Sequence, residues 1–359
     1  MATETLLRAR DVRVPPARPE PDALRRSYLE LLKLCLCDLT GAGTQTISWT
    51  GDRRVFSREL EGADQLQWRI DGRDWPLQAL TMVGLRRLDS LQACVEAIVA
   101  DGVQGDLIEA GSWRGGASIL MRATLDALGA TERTVWLADS FQGFPVPEPE
   151  GAAEDRELEA DMSPLAYLAP SLEEVKGYFA RFGLERGVNF VPGFFEETMD
   201  SLRGRRWALV RLDADTYKAT KLTLEALYPG LALGGYLVSD DYAFLAACRR
   251  GIDEFRTEHG ISEPIEQIDY NGIRWRKQRD GGAAPPAAAA PLSHAPLSYA
   301  PRASATPAVT RIPTDRELEL GDQIAELEAR LAAAEAELAA MRGSRLARAS
   351  AWLRARGSA

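Results

Sequence analysis

Cysteine and histidine are scarce in this chain of 359 residues, and their scarcity excludes several kinds of site. The four cysteines are Cys35, Cys37, Cys94 and Cys248. No two of them have the CxxC spacing of a zinc or redox motif, which favours reduced thiols in a cytoplasmic protein. The only histidines are His259 and His294, so a zinc centre built on several histidines is excluded.

Long apolar runs and an excess of basic charge are also missing. No run reaches the roughly 18 apolar residues that a membrane span requires. The first residues, MATETLLRARDVRVPPARPEPD, lack the apolar core of a secretory signal. The chain has 43 basic and 53 acidic residues and a net charge of −10, which makes it a poor ligand for nucleic acid. We therefore expect a cytoplasmic protein with no transmembrane segment and no nucleic-acid partner.

The composition is that of a globular protein over most of the chain, with 45% hydrophobic and 27% charged residues. It changes at both ends, and these changes predict five segments. They are a flexible leader (1–26), a globular domain (27–280), an Ala/Pro-rich linker (281–313), a helical segment (314–342) and a basic tail (343–359).

Helical and strand-like patterns alternate within the globular segment. The predicted helices are 28–39, 88–99, 117–128, 172–182 and 217–227. The predicted strands are 106–109, 133–140, 188–193, 207–215 and 234–242. Apolar strands separated by helices predict an α/β fold with a mainly parallel sheet covered on both faces. Ligands of such sheets bind outside the carboxyl ends of the strands.

A glycine-rich segment, EAGSWRGG at 109–116, follows the first of these strands. Its glycines allow a backbone to approach a ligand closely. The dinucleotide pattern GxGxxG is absent because Trp113 stands at the middle glycine position. A glycine turn preceded by the acid Glu109 suits a nucleoside with a cationic tail, while a tight turn without a ligand is the structural alternative.

Asp139 ends the second predicted strand, about 30 residues after the glycine turn. A carboxylate at this position is placed to accept hydrogen bonds from two ribose hydroxyls. The alternative is an aspartate that caps a helix or closes a turn.

Two pairs of acids end the fourth and fifth predicted strands: Asp213 with Asp215, and Asp240 with Asp241. Four carboxylates at one edge of a sheet require a counter-charge to remain ionised together. Carboxylate oxygens without thiolate or imidazole favour a hard divalent cation, Mg²⁺ first. The alternative is a set of solvated loop acids or helix caps.

Six motifs in order resemble the macrocin O-methyltransferase family over residues 27–279. They are LTMVGLRRLDSL, EAGSWRGG, DSFQGFP, RLDADTY, GGYLVSDDY and FRTEHGI. The resemblance implies a Rossmann-like class I fold and a metal-dependent transfer of methyl groups from S-adenosylmethionine to sugar hydroxyls. It also implies the cofactor-binding residues Thr81, Met82, Glu109, Gly111, Gly115, Ser118, Asp139 and Ser140.

The same resemblance assigns Mg²⁺ to Asp213, Asp240 and Asp241, and the role of general base to Asp215. Ala214 stands between two of these acids where the family more often has glycine. Because alanine does not readily adopt a positive φ, we expect a stiffer backbone there.

Other residues near these motifs have a structural alternative. We expect His259 to end a helix rather than act as a base, and Trp113 and Arg114 to pack and order the turn. Tyr217 and Tyr242 flank the acids and suit either stacking on a sugar ring or core packing. The acidic loop 146–170 is predicted to act as a lid that sets selectivity.

The segment 317–341 carries a heptad pattern. The a positions are Glu317, Ile324, Leu331 and Leu338, and the d positions are Leu320, Leu327, Ala334 and Met341. This spacing predicts a short coiled coil for a homo-oligomer or a partner protein, with a single helix on the main domain as the alternative. The basic tail after it suits an acidic membrane surface or partner, or frays.

We expect an Mg²⁺-dependent O-methyltransferase whose substrate is a glycosylated small molecule or a surface glycan. One alternative is a metal-dependent hydrolase or phosphotransferase that uses the acids alone, and another is a non-catalytic scaffold. Only the first hypothesis predicts binding of S-adenosylhomocysteine.

Overall fold

The computed structural model describes residues 21–41, 43–49, 55–145 and 165–279. The predicted linker, coiled coil and basic tail, and residues 146–164 of the predicted lid, lie outside this part of the chain. The described residues form two compact units. The small unit contains residues 43–49, 55–69 and 73–77, and the large unit contains the rest.

The large unit is built on a seven-stranded sheet with the order β5–β4–β3–β6–β7–β9–β8. Its strands are β3 (Asp106–Ala110), β4 (Val135–Asp139), β5 (Val188–Pro192), β6 (Trp207–Leu212), β7 (Leu231–Ser239), β8 (Glu266–Gln267) and β9 (Ile273–Arg276). The strands β3 to β7 are parallel, whereas β9 runs antiparallel to β7 and β8 runs antiparallel to β9. The predicted mainly parallel α/β fold is confirmed.

The helices of this unit are α1 (Pro21–Leu36), α3 (Gly84–Ala100), α4 (Gly116–Ala127), α5 (Leu172–Phe182), α6 (Phe195–Thr198), α7 (Tyr217–Leu227) and α8 (Ala246–Glu258). Each of the five predicted helices is present. The helix predicted over 28–39 begins earlier, at Pro21, inside the predicted leader, because proline is well suited to a first helical turn. Its residues Leu29, Leu32 and Leu36 are buried in the core.

The five predicted parallel strands are present, but β6 and β7 end before their acids. All six residues of β6, WALVRL, are buried, as expected for the centre of a parallel sheet covered on both faces. The strand ends at Leu212 and β7 ends at Ser239, so all four predicted site aspartates lie in the following loops. The strands β8 and β9 were not predicted, because segments of two and four residues are too short to show a clear period.

The small unit contains an antiparallel hairpin of β1 (Gln45–Trp49) and β2 (Val55–Glu59), followed by α2 (Gly62–Asp71). Within it, the buried Arg69 guanidinium donates to both oxygens of Asp74 at 2.8 to 3.1 Å and to the carbonyl oxygen of Gln45. This bidentate pair joins the helix to the chain that follows it.

The direction in which strands are added to the sheet reverses next to the central strands. After β3 the chain adds β4 and β5 on one side, and it then returns to add β6 and β7 on the other. Such a switch point between β3 and β6 is where open α/β sheets bind ligands. Among the described helices, none has both the length and the apolar character needed to cross a membrane.

Candidate active site

The loops that follow β3, β4, β6 and β7 meet at the switch point, and backbone hydrogen bonds hold them together. Gly111 donates to the Ala138 carbonyl at 2.9 Å, and Asp213 donates to the Ala110 carbonyl at 2.9 Å. Asp240 donates to the Leu212 carbonyl at 3.1 Å. The strand-end residues singled out from the sequence are therefore brought to one edge of the sheet.

The glycines of the turn are required by contacts within the protein. Gly111 has φ +84°, and a Cβ atom there would lie 1.8 Å from the backbone oxygen of Asp213. A Cβ atom on Gly115 would meet the side chains of Phe179 and Val175 at 3.1 Å. These contacts account for both glycines without a ligand, and their predicted contact with a cofactor remains a prediction.

Thr81 and Met82 lie beside this turn. The carbonyl of Leu80 accepts a hydrogen bond from the Gly116 amide at 2.9 Å, which fixes the segment against the start of α4. Thr81 is buried, and Met82 is half-buried. Both residues are therefore close to the chain that the sequence analysis assigned to the cofactor.

Asp139 organises the turn. Its Oδ2 atom accepts hydrogen bonds from the amides of Ser112 at 2.7 Å and Trp113 at 3.0 Å, and its Oδ1 atom accepts one from the Phe141 amide at 2.9 Å. These are the contacts of the turn-closing alternative. Ser140 also closes a turn, because its hydroxyl donates to the Gly143 carbonyl at 2.7 Å. The ribose contact proposed for Asp139 remains a prediction.

Glu109 is buried, and protein groups contact both of its carboxylate oxygens. Ser118 donates its hydroxyl to Oε2, and the Arg211 guanidinium donates to Oε1. Burial raises the pKa of Glu109 to about 7, although the guanidinium opposes the shift. The Arg211 guanidinium therefore occupies one side of the Glu109 carboxylate, where the sequence predicted the cationic tail of a ligand.

Arg211 is the residue that the sequence analysis missed. It lies in β6 opposite Glu109 of β3, and its Nη2 atom also donates to Asp213 Oδ2 at 3.0 Å and to Asp240 Oδ2. Burial alone would lower the pKa of this guanidinium, but the three surrounding carboxylates outweigh it and raise the pKa above its ordinary value. The available signal was an arginine within an otherwise apolar strand, WALVRL.

A second guanidinium reaches the same acid cluster from α3. Arg87 lies with Nη1 at 3.5 Å from Asp240 Oδ2 and with Nε at 3.0 Å from Asp269 Oδ2. The side chain of Asp240 is only 2% exposed, and its Oδ1 atom is buried with no hydrogen-bond partner among the described residues. The Oδ1 atom of Asp240 is therefore a buried acceptor to which the described residues donate no hydrogen bond.

Within the described part of the chain, Asp213, Asp215 and Asp241 form a close group of acids. One oxygen from each lies within 4.8 Å of the others, an arrangement that suits a metal ion. Asp240 is outside this group, and Asp241 Oδ2, like Asp240 Oδ1, is buried without a partner in the described residues. Burial and the neighbouring acids raise the pKa of Asp241 well above its ordinary value.

Asp215 has a strained backbone. The φ angle of Asp215 is +59°, so Asp215, and not Ala214, has the left-handed backbone conformation in this loop. Burial, followed by the charges of Asp213 and Asp240, raises its pKa to about 8. This side chain can therefore hold a proton near neutral pH.

Trp113 and Arg114 make the packing contacts expected of them. Trp113 donates Nε1–H to the Tyr167 carbonyl at 3.0 Å, and the two rings lie 5.2 Å apart. The Arg114 guanidinium lies over the Trp113 ring at 4.2 Å and donates to the Ala79 carbonyl at 2.8 Å. Tyr167 belongs to a 3₁₀ turn, Ala166–Leu168, at the end of the predicted lid.

Two tyrosines beside the acids are held by α8. Tyr217 donates its hydroxyl to Glu254 at 2.6 Å, and Tyr242 donates to Asp253 at 2.8 Å. Both rings remain half-buried. His259 lies at the C-terminal end of α8, as predicted, and stacks on Phe255.

The chain is similar to a protein family and to several known proteins. The model of the macrocin-O-methyltransferase (TylF) family matches residues 25–277. A Streptomyces olivaceus protein, 8-demethyl-8-(2,3-dimethoxy-alpha-L-rhamnosyl)-tetracenomycin-C 4'-O-methyltransferase, is 46% identical over 255 residues, covering 70% of this chain and 93% of that protein. Mycinamicin III 3''-O-methyltransferase of Micromonospora griseorubida is 44% identical over 256 residues, covering 70% and 96%.

The solved structure of the O-methyltransferase NovP is also similar, with a TM-score of 0.63 and 36% identity over 71% of this chain and all of that one. The sheet order and this likeness identify the Rossmann-like methyltransferase fold. The family model spans the whole described sheet together with the four strand-end aspartates. The chain therefore belongs to the macrocin-O-methyltransferase family.

Proposed function

We propose that this protein is an Mg²⁺-dependent O-methyltransferase that moves a methyl group from S-adenosylmethionine to a sugar hydroxyl. The observation that carries the proposal is a pair of buried oxygens at the strand ends of a methyltransferase fold, Asp240 Oδ1 and Asp241 Oδ2, to which the described residues donate no hydrogen bond. The names of the relatives support a glycosylated natural product as the acceptor. A surface glycan is the second acceptor class that we retain.

The residues at the site fit a hard divalent cation. The donors are carboxylate oxygens, Asp213 and Asp241 belong to the close group, and Asp240 offers its unpartnered oxygen. Two guanidinium groups are too few to balance these acids, and the raised pKa values of Asp215 and Asp241 mean that protons take up part of the remaining charge, which a cation would replace. We propose that Asp213, Asp240 and Asp241 hold the ion. A bound Mg²⁺ would lower the pKa of a hydroxyl that it contacts.

Asp215 is proposed to accept the proton of the acceptor hydroxyl on a carboxylate oxygen. Burial and the neighbouring acids raise its pKa to about 8 in the ion-free cluster, and a bound cation would lower that value, so the carboxylate would be ionised and able to accept a proton. Its oxygen lies within 4.8 Å of those of Asp213 and Asp241, so the base and the ion would share one small space. Alignment of the hydroxyl with the methyl group supplies much of the rate in such a reaction.

The cofactor is proposed to lie along the glycine turn, between the ends of β3 and β4. The assigned residues are Thr81, Met82, Glu109, Gly111, Gly115, Ser118, Asp139 and Ser140. Glu109 and Ser118 are buried and bonded to each other, so they would also support the turn.

Calorimetry with S-adenosylhomocysteine tests this proposal against its alternatives. We expect binding of one molecule per chain. A hydrolase or phosphotransferase that uses the acids alone gives no such binding.

If S-adenosylhomocysteine binds, methylation of a rhamnosylated tetracenomycin or of mycinamicin III is then measured after EDTA treatment, with and without added Mg²⁺. Full activity in EDTA would remove the metal from the proposal, and a lack of S-adenosylhomocysteine binding would favour the hydrolase, the phosphotransferase or the scaffold.

We also propose a cytoplasmic location and an oligomer formed through residues 317–341. The four cysteines are free in the structure, which suits a reducing compartment. The heptad spacing in the sequence supports self-association or a coiled-coil partner.

A further inference from the structure

We propose that Arg211 is a positioning residue for the metal ligands: one guanidinium holds Asp213 and Asp240 by one oxygen each and so directs their other oxygens to the ion. This inference rests on the proposed Mg²⁺ site. It assigns a task to a buried residue of β6 for which the sequence motifs suggested none.

The first support is the sharing of one donor atom. Arg211 Nη2 donates to Asp213 Oδ2 at 3.0 Å and to Asp240 Oδ2, although the two acids follow different strands. A guanidinium is planar and rigid, so two carboxylates bound to one of its nitrogens have a fixed relative orientation. The distance between two of the proposed ligands is therefore set by Arg211.

The second support is the asymmetry of Asp240. Its Oδ2 atom faces both Arg211 and Arg87, while its Oδ1 atom is buried with no partner among the described residues. A buried carboxylate oxygen without a donor is costly unless a cation completes its coordination. The two guanidiniums thus fix which oxygen remains for the ion.

The third support is the anchoring of Arg211 from the opposite side. Glu109 accepts from Nη1 of the guanidinium and is itself held by the Ser118 hydroxyl. All three side chains are buried, so Arg211 has little freedom to turn away from the aspartates. Contacts of this kind orient the direct ligands of a metal, and losing them commonly weakens metal binding by about 10- to 100-fold.

At this position, a loss of positive charge and a loss of geometry would change the affinity for the cation in opposite directions. The choice of variant therefore has to separate the two effects. Removing the positive charge would make the cluster more attractive to a cation, whereas removing the fork would misplace the ligands. Arg211→Lys keeps the charge and loses the planar fork. It therefore isolates the positioning effect.

The experiment titrates the full-length protein with Mn²⁺, without cofactor or acceptor, and follows free Mn²⁺ by electron paramagnetic resonance. We expect Arg211→Lys to raise the Kd for Mn²⁺ by about 10-fold or more. The matched control is Arg122→Lys. Arg122 is also a buried arginine, but it donates to the Arg133 carbonyl and to Asp126, away from the acids. The Kd of the Arg122→Lys variant for Mn²⁺ should stay within about twofold of the value for the natural protein, even though both variants lower the Tm.

The outcomes separate this inference from the proposed function. If the natural protein binds no Mn²⁺, the metal site itself is wrong. If it binds Mn²⁺ and Arg211→Lys binds equally well, the positioning role is overturned. Should Arg211→Lys fail to fold, Ser118→Ala removes the hydroxyl that holds Glu109 and so loosens the same guanidinium from the other side without changing any charge of the cluster. We expect that variant to raise the Kd at least threefold by the same mechanism, and an unchanged Kd there also overturns the inference.

Discussion

Three residues with left-handed backbone mark the loops at the carboxyl edge of the sheet. Trp113, Phe141 and Asp215 have φ values of +46°, +54° and +59°. Such conformations are unfavourable for residues other than glycine and persist where the surroundings hold them. Asp139 holds two of these residues in place, because its carboxylate accepts hydrogen bonds from the amides of Trp113 and Phe141. A single side chain thus stabilises the two turns beside the proposed cofactor site.

Gly111→Ala should destabilise the protein strongly. Its Cβ atom would lie 1.8 Å from the backbone oxygen of Asp213, so β3 and β6 would have to move apart. Gly129, at φ +76°, has no heavy atom within 4 Å of its Cβ position and serves as the control. We expect a loss of more than about 3 kcal/mol for Gly111→Ala and about 1 kcal/mol for Gly129→Ala in urea unfolding. Equal losses would show that the contact with Asp213 is not tight.

Asp215→Asn should separate the base from the metal ligands. Asparagine cannot accept the proton, so we expect turnover to fall by about 100-fold or more. Binding of S-adenosylhomocysteine and of Mn²⁺, measured by calorimetry, should stay near that of the natural protein. An unchanged rate would reassign the base, and a lost metal affinity would instead make Asp215 a ligand.

At the scale of elements, the helices were predicted more closely than the strand ends. The helices 172–182 and 217–227 agree with the structure because a 3.6-residue apolar period is strong over three turns. The predicted strand 207–215 runs three residues past the end of β6, since an apolar run does not show where pairing stops. The pairing of Glu109 with Arg211 depends on the β3–β6 register, which one sequence does not contain.

Lys33 joins α1 to α3 and gives the fold a pH dependence. Burial would lower the pKa of its ammonium group, but hydrogen bonds to Asp89 and Glu30 outweigh this effect and raise it. A raised pKa means that the stabilisation is complete below the unfolded value of 10.5 and is lost as the pH rises through the higher folded value.

Lys33→Gln should therefore cost about 1 kcal/mol of unfolding free energy at pH 8, a modest value because both acids are largely exposed. The difference from the natural protein should hold to about pH 10 and shrink above it, as urea unfolding at several pH values will show. Lys176→Gln, at an exposed pair with Glu173, is the control and should change stability by less than about 0.5 kcal/mol. A constant difference up to pH 12 would contradict the assignment.

At the scale of the whole molecule, the methyltransferase domain and the heptad segment are proposed to have separate tasks. The family model ends at residue 277, and the heptads begin at Glu317. The basic and acidic residues around the heptads suit pairing between chains. The segment lies outside the described residues, so its role rests on the sequence pattern alone.

The double change Leu327→Pro with Leu331→Pro tests this role. Proline removes a backbone donor and breaks a helix at a cost of about 3 kcal/mol or more for each residue. We expect light scattering to show a smaller oligomer, with binding of S-adenosylhomocysteine unchanged. An oligomer of unchanged size would move the association to another surface.

The amino-acid sequence alone predicted the family, the parallel α/β fold and the set of strand-end acids. It did so because apolar periodicity and short motifs are local properties that folding preserves. The folded structure was needed to show that Arg211 lies among those acids and that, within the described residues, only one oxygen of Asp240 has a hydrogen-bond donor. These facts depend on register and on side-chain packing between strands that are distant in the chain, and a linear pattern does not encode such distances.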